Sequence, residues 1–191
     1  MTPSASSSRI ASQLGLAERI FAGPRARRLI DGVEAGLDRV DANLERELHV
    51  SDALADATSR YLFDAGGKRV RPMLALLTAH LGDGVTEDVV EAATALELTH
   101  LGSLYHDDVM DDADKRRGVP SAHSVWGNNI AILTGDLLFA RASQIMARLG
   151  EGAIRLQANT FERLVLGQMH ETVGPTDADR SEEHTSELQS H

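Results

Sequence analysis

Between Arg25 and Leu48 the apolar residues of this chain recur with the period of an α-helix. Their spacing is near 3.6 residues, which places them on one face of the helix. The same period returns later in the chain, and no stretch alternates as a half-buried strand does. Aromatic residues make up 4% and hydrophobic residues 42%, so the core must be built largely from aliphatic side chains. We therefore predict an all-α protein.

Capping residues and glycines divide the rest of the chain into further helices. The pair Ser51-Asp52 predicts the start of a helix that runs towards Phe63. Thr86 predicts the cap of a long helix with acids in its first turn, where the helix dipole favours them. The predicted helical segments are Arg25–Leu48, Ser51–Phe63, Met73–Leu81, Thr86–Tyr105, Ile130–Leu149 and Ala153–Thr172, with a loop at Gly118–Pro120.

Length, charge and cysteine content narrow the possible classes of protein. At 191 residues the chain suggests a single domain, and its net charge of −10 argues against a nucleic-acid partner. There are no cysteines, which excludes disulfides and thiolate chemistry. No apolar run is predicted to reach the length of a transmembrane span, and the N-terminus lacks a secretory signal. We expect a cytoplasmic protein whose residues 1–24 form a partly disordered leader.

A cluster of acids lies at the C-terminal end of the predicted long helix. Asp107 and Asp111 are four residues apart, so their Cβ atoms would lie roughly 5–6 Å apart on one face, with Asp108 beside them. Like charges at this spacing repel, and the helix dipole disfavours acids at this end. Carboxylates with room left for water and phosphate suit Mg²⁺. From this pattern alone, a magnesium site and a solvated acidic helix end both stay open.

Two basic clusters accompany the acids. The first is GGKRVRP at residues 66–72, in which Lys68 and Arg71 would share a face at the start of a helix. An anion placed there would be bound by both the side chains and the helix N-terminus. The second cluster is Lys115-Arg116-Arg117, which follows the acids. This second cluster predicts either guanidinium groups that bind a phosphate or a surface patch of salt bridges. For the first cluster, the alternative to an anion site is a solvated loop.

In this order, GGKRVRP, HLGSLYHDDVMD at residues 100–111 and RRG at residues 116–118 resemble the trans-isoprenyl diphosphate synthases, also called the polyprenyl synthetase family. The resemblance runs from about Leu29 to about Pro175. It implies the isoprenoid synthase fold, an antiparallel helix bundle around a central cavity. The implied domain organisation is the N-terminal part of a polyprenyl synthase domain at residues 25–175.

The resemblance also implies an activity, a metal and a product class. It implies a prenyltransferase that condenses isopentenyl diphosphate with an allylic diphosphate by Mg²⁺-assisted ionisation, working as a homodimer. Gly102 and Ser103, five and four residues before Asp107, imply a product longer than farnesyl diphosphate, because no bulky side chain closes the chain pocket there.

Site roles follow from the resemblance in the same way. It assigns Arg116 to the allylic diphosphate and Arg117 to isopentenyl diphosphate, and it gives catalytic roles to Asp107, Asp111 and Arg116. Without the resemblance, His100 would be interpreted as a core or helix-face histidine. The implied ligands of isopentenyl diphosphate are Lys68, Arg71, His100 and Arg117, and those of magnesium are Asp107 and Asp111 with Asp108 beside them.

The end of the chain departs from the family pattern. The second aspartate-rich motif that the family carries on a later helix is absent from the sequence. Residues 176–191 are expected to be a non-family tail, in which Arg180–His191 resembles a translated sequencing adapter. We therefore expect a bundle that is incomplete at its C-terminus and a chain that is inactive or nearly so. A natural acidic tail is the alternative.

Two other functions stay open. A terpene cyclase or head-to-head synthase also ionises diphosphates with paired acids, but it has no use for the GGKRVRP cluster. A non-catalytic partner subunit of a complete synthase would explain the missing second motif. The complete set of basic and acidic residues argues against that alternative.

Overall fold

The structure is a computed structural model that describes residues 23–174. This part of the chain is almost entirely helical, which confirms the predicted all-α class. Most of the predicted leader and all of the predicted tail lie outside the described residues. The elements are α1 (Pro24–Leu48), α2 (Ala53–Asp64), α3 (Val70–Ala79), α4 (Glu87–Met110), β1 (Lys115–Arg116), β2 (Val119–Pro120), α5 (Ala122–Trp126), α6 (Asn128–Leu149) and α7 (Glu151–Val173).

Both predicted N-terminal caps are formed. Asp52 Oδ1 accepts a hydrogen bond from the backbone N–H of Ala55 at 2.9 Å. Thr86 Oγ1 accepts one from the N–H of Val89 at 3.3 Å, and Glu87 lies in the first turn of α4, where the helix dipole favours an acid. The predicted apolar face of α1 is also buried, and it consists of Val33, Leu37, Val40, Leu44 and Leu48.

Helix α3 begins at Val70, earlier than the predicted Met73, and it also ends two residues before the predicted end. The reason lies at Arg69, which adopts a left-handed backbone with φ of 50°. Its carbonyl accepts the N–H of Met73 at 3.0 Å, so the helix begins directly after it. Pro72 therefore occupies the third helical position, where a backbone N–H would have no partner within the helix.

Helix α4 is the central helix of residues 23–149, because it packs against α1, α3, α5 and α6. Its buried face carries Leu98, Leu101 and Tyr105, which are fully buried, together with two acids. Glu97 is 2% exposed and Asp108 is 0% exposed. A buried carboxylate is stable only with compensating donors. Cationic side chains must therefore lie against the two acids on the buried face of α4.

Helix α6 crosses α4 at two closely spaced glycines. A Cβ atom on Gly102 or on Gly135 would lie 3.0 Å from the carbonyl oxygen of the other glycine. At Gly135 it would also lie 2.5 Å from the ring of His106. That ring packs edge-on against Phe139, with the ring centroids 5.3 Å apart, and its Nε2 lies 3.0 Å from the carbonyl oxygen of Ile132. These contacts fix the acid-bearing end of α4 against α6.

The prediction that no segment reaches the length of a membrane span needs one correction. Within the described residues, α6 is long and apolar enough for a span by length and composition. Core helices of soluble proteins pass the same test. Six side chains of α6 are buried among residues 23–149, as in a core helix: Ala131, Thr134, Leu138, Ala142, Ile145 and Met146.

A small hairpin follows the acids, where a loop without strands was predicted. Strands β1 and β2 pair antiparallel, with Arg116 opposite Val119. The turn residues Arg117 and Gly118 have φ of 53° and 84°, and two positive values are typical of the tightest hairpin turns. Each strand has two residues, which is too short for an alternating pattern to show in the sequence. The hairpin is held to α2 by Tyr61, whose hydroxyl donates to the carbonyl oxygen of residue 120 at 2.8 Å.

The chain divides into two compact units after Leu149, and the described part of the second unit is helix α7. None of the side chains of α7 is buried. Arg155 forms an ion pair with Glu151 one turn before it. Much of the remaining exposed surface of α7 is apolar, and it includes Ile154, Leu156, Leu164, Val165, Leu166, Met169 and Val173.

Candidate active site

The predicted acid pair lies at the end of α4 as expected. Asp111 caps the helix, and its N–H donates to the carbonyl oxygen of Asp107 at 2.8 Å. Asp107 is half-buried and Asp111 is exposed, and neither forms an ion pair with another residue of the described chain. Burial and the charge of Asp111 raise the pKa of Asp107, and Arg116 opposes that rise. Two unneutralised carboxylates therefore share one face of the helix end.

Asp108 lies apart from the other two acids of the predicted set. It is completely buried, its Oδ1 accepts a hydrogen bond from Arg116 Nε at 2.6 Å, and Arg116 Nη2 forms an ion pair with the same oxygen at 2.5 Å. Its Oδ2 is buried without a hydrogen-bond partner. Successive residues of an α-helix are about 100° apart, so the neighbour of Asp107 turns towards the core. In the described part of the chain, no three His, Cys, Asp or Glu side chains converge as a metal site.

Arg117 binds the protein backbone. Its guanidinium donates to the carbonyl oxygen of Leu62 at 2.6 Å and also to that of Gly66. These carbonyls lie at the C-terminal end of α2 and in the glycine loop. Arg117 thus joins the hairpin to the loop that carries Lys68. Desolvation lowers the pKa of this guanidinium.

His100 lies among cations. Burial lowers its pKa, and the charges of four arginines lower it further, to about 4, so the imidazole is neutral at pH 7. Lys68 and Arg71 are both exposed, and neither forms an ion pair within the described residues. Cations left without protein partners around a neutral histidine are suited to an anion. The four arginines that act on His100 are Arg71, Arg117, Arg116 and Arg69.

Arg69 is a site residue that the sequence analysis missed. Its side chain is 8% exposed, and it pairs with Asp41 of α1 and with Glu97 of α4. One sequence signal was available. Glu97 interrupts the apolar face of α4 between Thr94 and Leu101, and an acid in such a face indicates a buried ion pair. Nothing in the sequence identified which cation would meet it.

The small residue at position 102 has a packing role. A Cβ atom there would lie 3.1 Å from Phe139 of α6, so the helix crossing itself favours glycine. Ser103 is half-buried, and its hydroxyl donates to the carbonyl oxygen of His100. The helix crossing alone therefore explains a glycine at position 102, whatever the length of the product.

A family model described as polyprenyl synthetase matches residues 52–190 of this chain. The chain belongs to the polyprenyl synthetase family. Among its curated relatives, a nonaprenyl diphosphate synthase of Mycobacterium tuberculosis is 49% identical over 146 residues, 76% of this chain and 44% of the relative. A dimethylallyltranstransferase of the same organism is 42% identical over 144 residues, 75% of this chain and 44% of the relative. The chain thus spans less than half the length of these polyprenyl synthetases.

Solved structures of polyprenyl synthetases share the fold. A geranylgeranyl pyrophosphate synthase from Corynebacterium glutamicum, complexed with calcium and isoprenyl diphosphate, matches with a TM-score of 0.70 and 43% identity, covering 82% of this chain and 47% of that one. A polyprenyl synthase from Caulobacter crescentus, with the same two ligands, matches with a TM-score of 0.70 and 32% identity. The match covers 75% of this chain and 44% of that one. The isoprenoid synthase fold implied by the sequence is confirmed.

Proposed function

We propose that this protein binds an allylic diphosphate and isopentenyl diphosphate and takes part in Mg²⁺-dependent prenyl transfer. One observation carries the proposal. The β1–β2 hairpin connects the two groups of side chains. Arg116 pairs with Asp108, next to the acid pair, and Arg117 donates to the carbonyl oxygen of Gly66 in the loop before the exposed cations. We infer that the acid pair and the cation cluster are parts of one site. Carboxylates on one side and guanidinium groups on the other are what a metal-bound diphosphate needs.

The acid pair fits a divalent cation. Mg²⁺ usually takes one or two protein carboxylates and fills its other positions with water and phosphate oxygens, so Asp107 and Asp111 suffice. A cation bound there would neutralise the departing diphosphate. The calcium in the structure of the Corynebacterium glutamicum relative supports a divalent-cation site in this protein. We do not include Asp108 among the proposed ligands, because its carboxylate is buried against Arg116.

The cation cluster, which consists of Lys68 and Arg71 with the neighbouring Arg117, is proposed to hold isopentenyl diphosphate. Lys68 and Arg71 are exposed beside the N-terminus of α3, where helix N–H groups also favour an anion. His100 is neutral, so it would contribute a hydrogen bond rather than a charge. Arg117 already donates to two carbonyl groups, and only its remaining N–H groups would be available to isopentenyl diphosphate.

The proposed reaction needs no protein nucleophile. The carbon–oxygen bond of the allylic diphosphate breaks, the alkene of isopentenyl diphosphate forms a new carbon–carbon bond, and a proton passes to the released diphosphate. The product is a prenyl diphosphate one isoprene unit longer, plus inorganic diphosphate. The protein orients the two substrates and stabilises the leaving group. A product longer than farnesyl diphosphate stays part of the proposal, and its support is that Ser103 is small and that a relative 49% identical to this chain is named nonaprenyl diphosphate synthase.

The test uses the 191-residue chain and two measurements. Calorimetric titration with a thio analogue of farnesyl diphosphate, which cannot ionise readily, should show binding that requires Mg²⁺. Lys68→Gln should weaken the binding of isopentenyl diphosphate and leave that of the farnesyl analogue unchanged. If neither ligand binds at millimolar concentration, the proposed function is wrong. Incorporation of labelled isopentenyl diphosphate then reports whether the bound substrates react.

A partner-subunit role is the second candidate. A relative named heptaprenyl diphosphate synthase component 2, from Geobacillus stearothermophilus, is 41% identical over 136 residues, and its name indicates a synthase of more than one component. Co-expression with a complete synthase tests this role. Co-purification, without substrate binding by the isolated chain, would favour it over the first proposal.

Assembly and location complete the proposal. We propose a homodimer and a cytoplasmic location, both supported by membership of the family. Sedimentation analysis of the purified chain tests the first, and fractionation of expressing cells tests the second.

A further inference from the structure

Arg69 lies inside the protein between two helices and directly beside the proposed substrate cations. Its Nε donates to Asp41 Oδ1 of α1 at 2.8 Å, and its Nη1 lies 3.4 Å from Glu97 Oε1 of α4. The guanidinium also stacks over the ring of Phe63 of α2, 4.7 Å from the ring centroid. Asp41, Arg69 and Glu97 are called the Arg69 cluster below. Three helices thus converge on one side chain.

The loop between α2 and α3 packs directly on this guanidinium. A Cβ atom on Gly67 would lie 2.7 Å from Arg69 Nη1 and 3.0 Å from Arg117 Nη1, so two guanidinium groups lie against one side of this exposed glycine. Gly66 and Arg69 have φ of 91° and 50°. A non-glycine residue in the left-handed region persists only where its surroundings hold it there. The ion pairs of the Arg69 cluster supply that restraint.

The two neighbouring cations point the other way. Lys68 and Arg71 are exposed, whereas Arg69 between them is 8% exposed. Burial of Glu97 raises its pKa, and the charges of Arg69, Arg117 and Arg71 oppose that rise. Arg69 therefore satisfies buried acids, and its donors are directed at protein carboxylates. The loop has one inward cation and two outward ones.

We infer that the Arg69 cluster is a positioning device for the diphosphate site: it holds the loop at residues 65–69 and the first turn of α3 in the conformation that exposes Lys68 and Arg71 together. The identity of the ligand rests on the proposed function, and the restraint on the loop does not. Asp41 and Glu97 act through Arg69, so they are positioning residues with no substrate contact.

The change in anion affinity when an acid of the cluster is neutralised distinguishes a positioning role from a direct electrostatic effect. Asp41 and Glu97 are negative and lie close to a cation cluster. If only the local potential mattered, neutralising either acid would strengthen the binding of an anion. If the acids position the loop, neutralising them weakens binding. Opposite outcomes are expected from the same substitution.

The test titrates the full 191-residue chain with inorganic pyrophosphate in the absence of divalent metal, so that only the cation cluster contributes. Asp41→Asn and Glu97→Gln should each weaken binding by about tenfold, the effect of one charged hydrogen bond. The matched control is Asp38→Asn, which removes an exposed acid from the same helix as Asp41. Its affinity should stay equal or increase slightly. Unchanged or tighter binding by both cluster variants would overturn the inference.

Hydrogen exchange provides a readout that needs no ligand. In Asp41→Asn and in Arg69→Lys, the N–H groups of Gly66 and Met73, which donate to the carbonyl oxygens of Phe63 and Arg69, should exchange faster while those of α4 and α6 keep their protection. If wild-type protein does not bind pyrophosphate, the proposed function fails, and this exchange pattern still decides the role of the cluster. Uniform exchange across the chain, or global unfolding of all the cluster variants, would contradict a role confined to the loop.

Discussion

Helix α4 carries acids on two faces, and the two faces use them in opposite ways. On the open face, Asp107 and Asp111 lie side by side without cation partners. On the buried face, Glu97 faces Arg69, and Asp108 forms an ion pair with Arg116 and accepts a hydrogen bond from its Nε. Acidic side chains of one helix therefore have two functions. A buried carboxylate needs a cationic partner within the protein, whereas two exposed carboxylates can remain without one. The open face is available to a ligand, and the buried face positions the cations around that ligand.

The strongest test of this contrast is Asp108→Asn. The amide keeps the shape but loses the charge that pairs with Arg116, so we expect a loss of about 3 kcal/mol in the free energy of unfolding. Urea denaturation followed by far-UV circular dichroism measures it. The control is Asp112→Asn at a side chain that is 100% exposed, and it should change stability by less than about 0.5 kcal/mol. Equal effects at the two positions would remove the distinction between the faces.

His100 sharpens the comparison through pH, because it is a titratable residue of α4 that lies among arginines. Its pKa is about 4 in the folded protein and 6.5 without perturbation. Between these values the unfolded chain binds more protons than the folded one, so stability falls as pH falls from 6.5 to 4. His100→Asn should remove about 2–3 kcal/mol of that fall. Urea denaturation at pH 4, 5, 6 and 7 measures it, and parallel pH profiles for the two proteins would contradict the prediction.

Gly135→Ala tests whether close packing orients the open face. The added methyl group would meet the ring of His106 at 2.5 Å, next to Asp107 in the chain. Overpacking should reduce stability by about 1–2 kcal/mol after the gain in helix propensity. Thermal unfolding measures it. Gly167→Ala is the control, because nothing lies within 4 Å of its position and no loss is expected.

The smallest expected change has the opposite sign. Asp107→Asn removes a like-charge pair with Asp111 at the C-terminal end of the helix. Stability should therefore increase by about 0.3–0.5 kcal/mol at low salt, and the gain should shrink as salt is added. Precise thermal melts at two ionic strengths measure it. A decrease in stability would mean that Asp107 has a stabilising partner, contrary to the open face described above.

The sequence predicted the parts of the molecule that depend on local pattern. The apolar period of α1, the caps at Asp52 and Thr86 and the position of the acids at the end of α4 all follow from nearest neighbours along a helix. These local predictions required no knowledge of which helices pack together. The overall fold was predicted from the family resemblance.

The missed features depend on contacts between distant segments. The pairing of Arg69 with Asp41 joins residues 28 positions apart, and the bond from Arg117 to Leu62 spans 55. The inward turn of Asp108 could have been derived from the helix period, since it lies eleven residues, or three turns, after Glu97 on the same apolar face. Its pairing with Arg116 could not have been derived from the helix period. The start of α3 was missed because the left-handed backbone of Arg69 depends on that buried contact.

One titration tests the central claim most directly: the affinity of the wild-type chain for inorganic pyrophosphate, with and without Mg²⁺, beside the Asp107→Asn/Asp111→Asn double variant. The open-face acids should give the wild-type chain a clear gain in affinity on addition of Mg²⁺, and the double variant should lose that gain while its metal-free affinity stays equal or increases. A gain of the same size in both proteins would show that the divalent cation binds elsewhere, and it would contradict this description of the site.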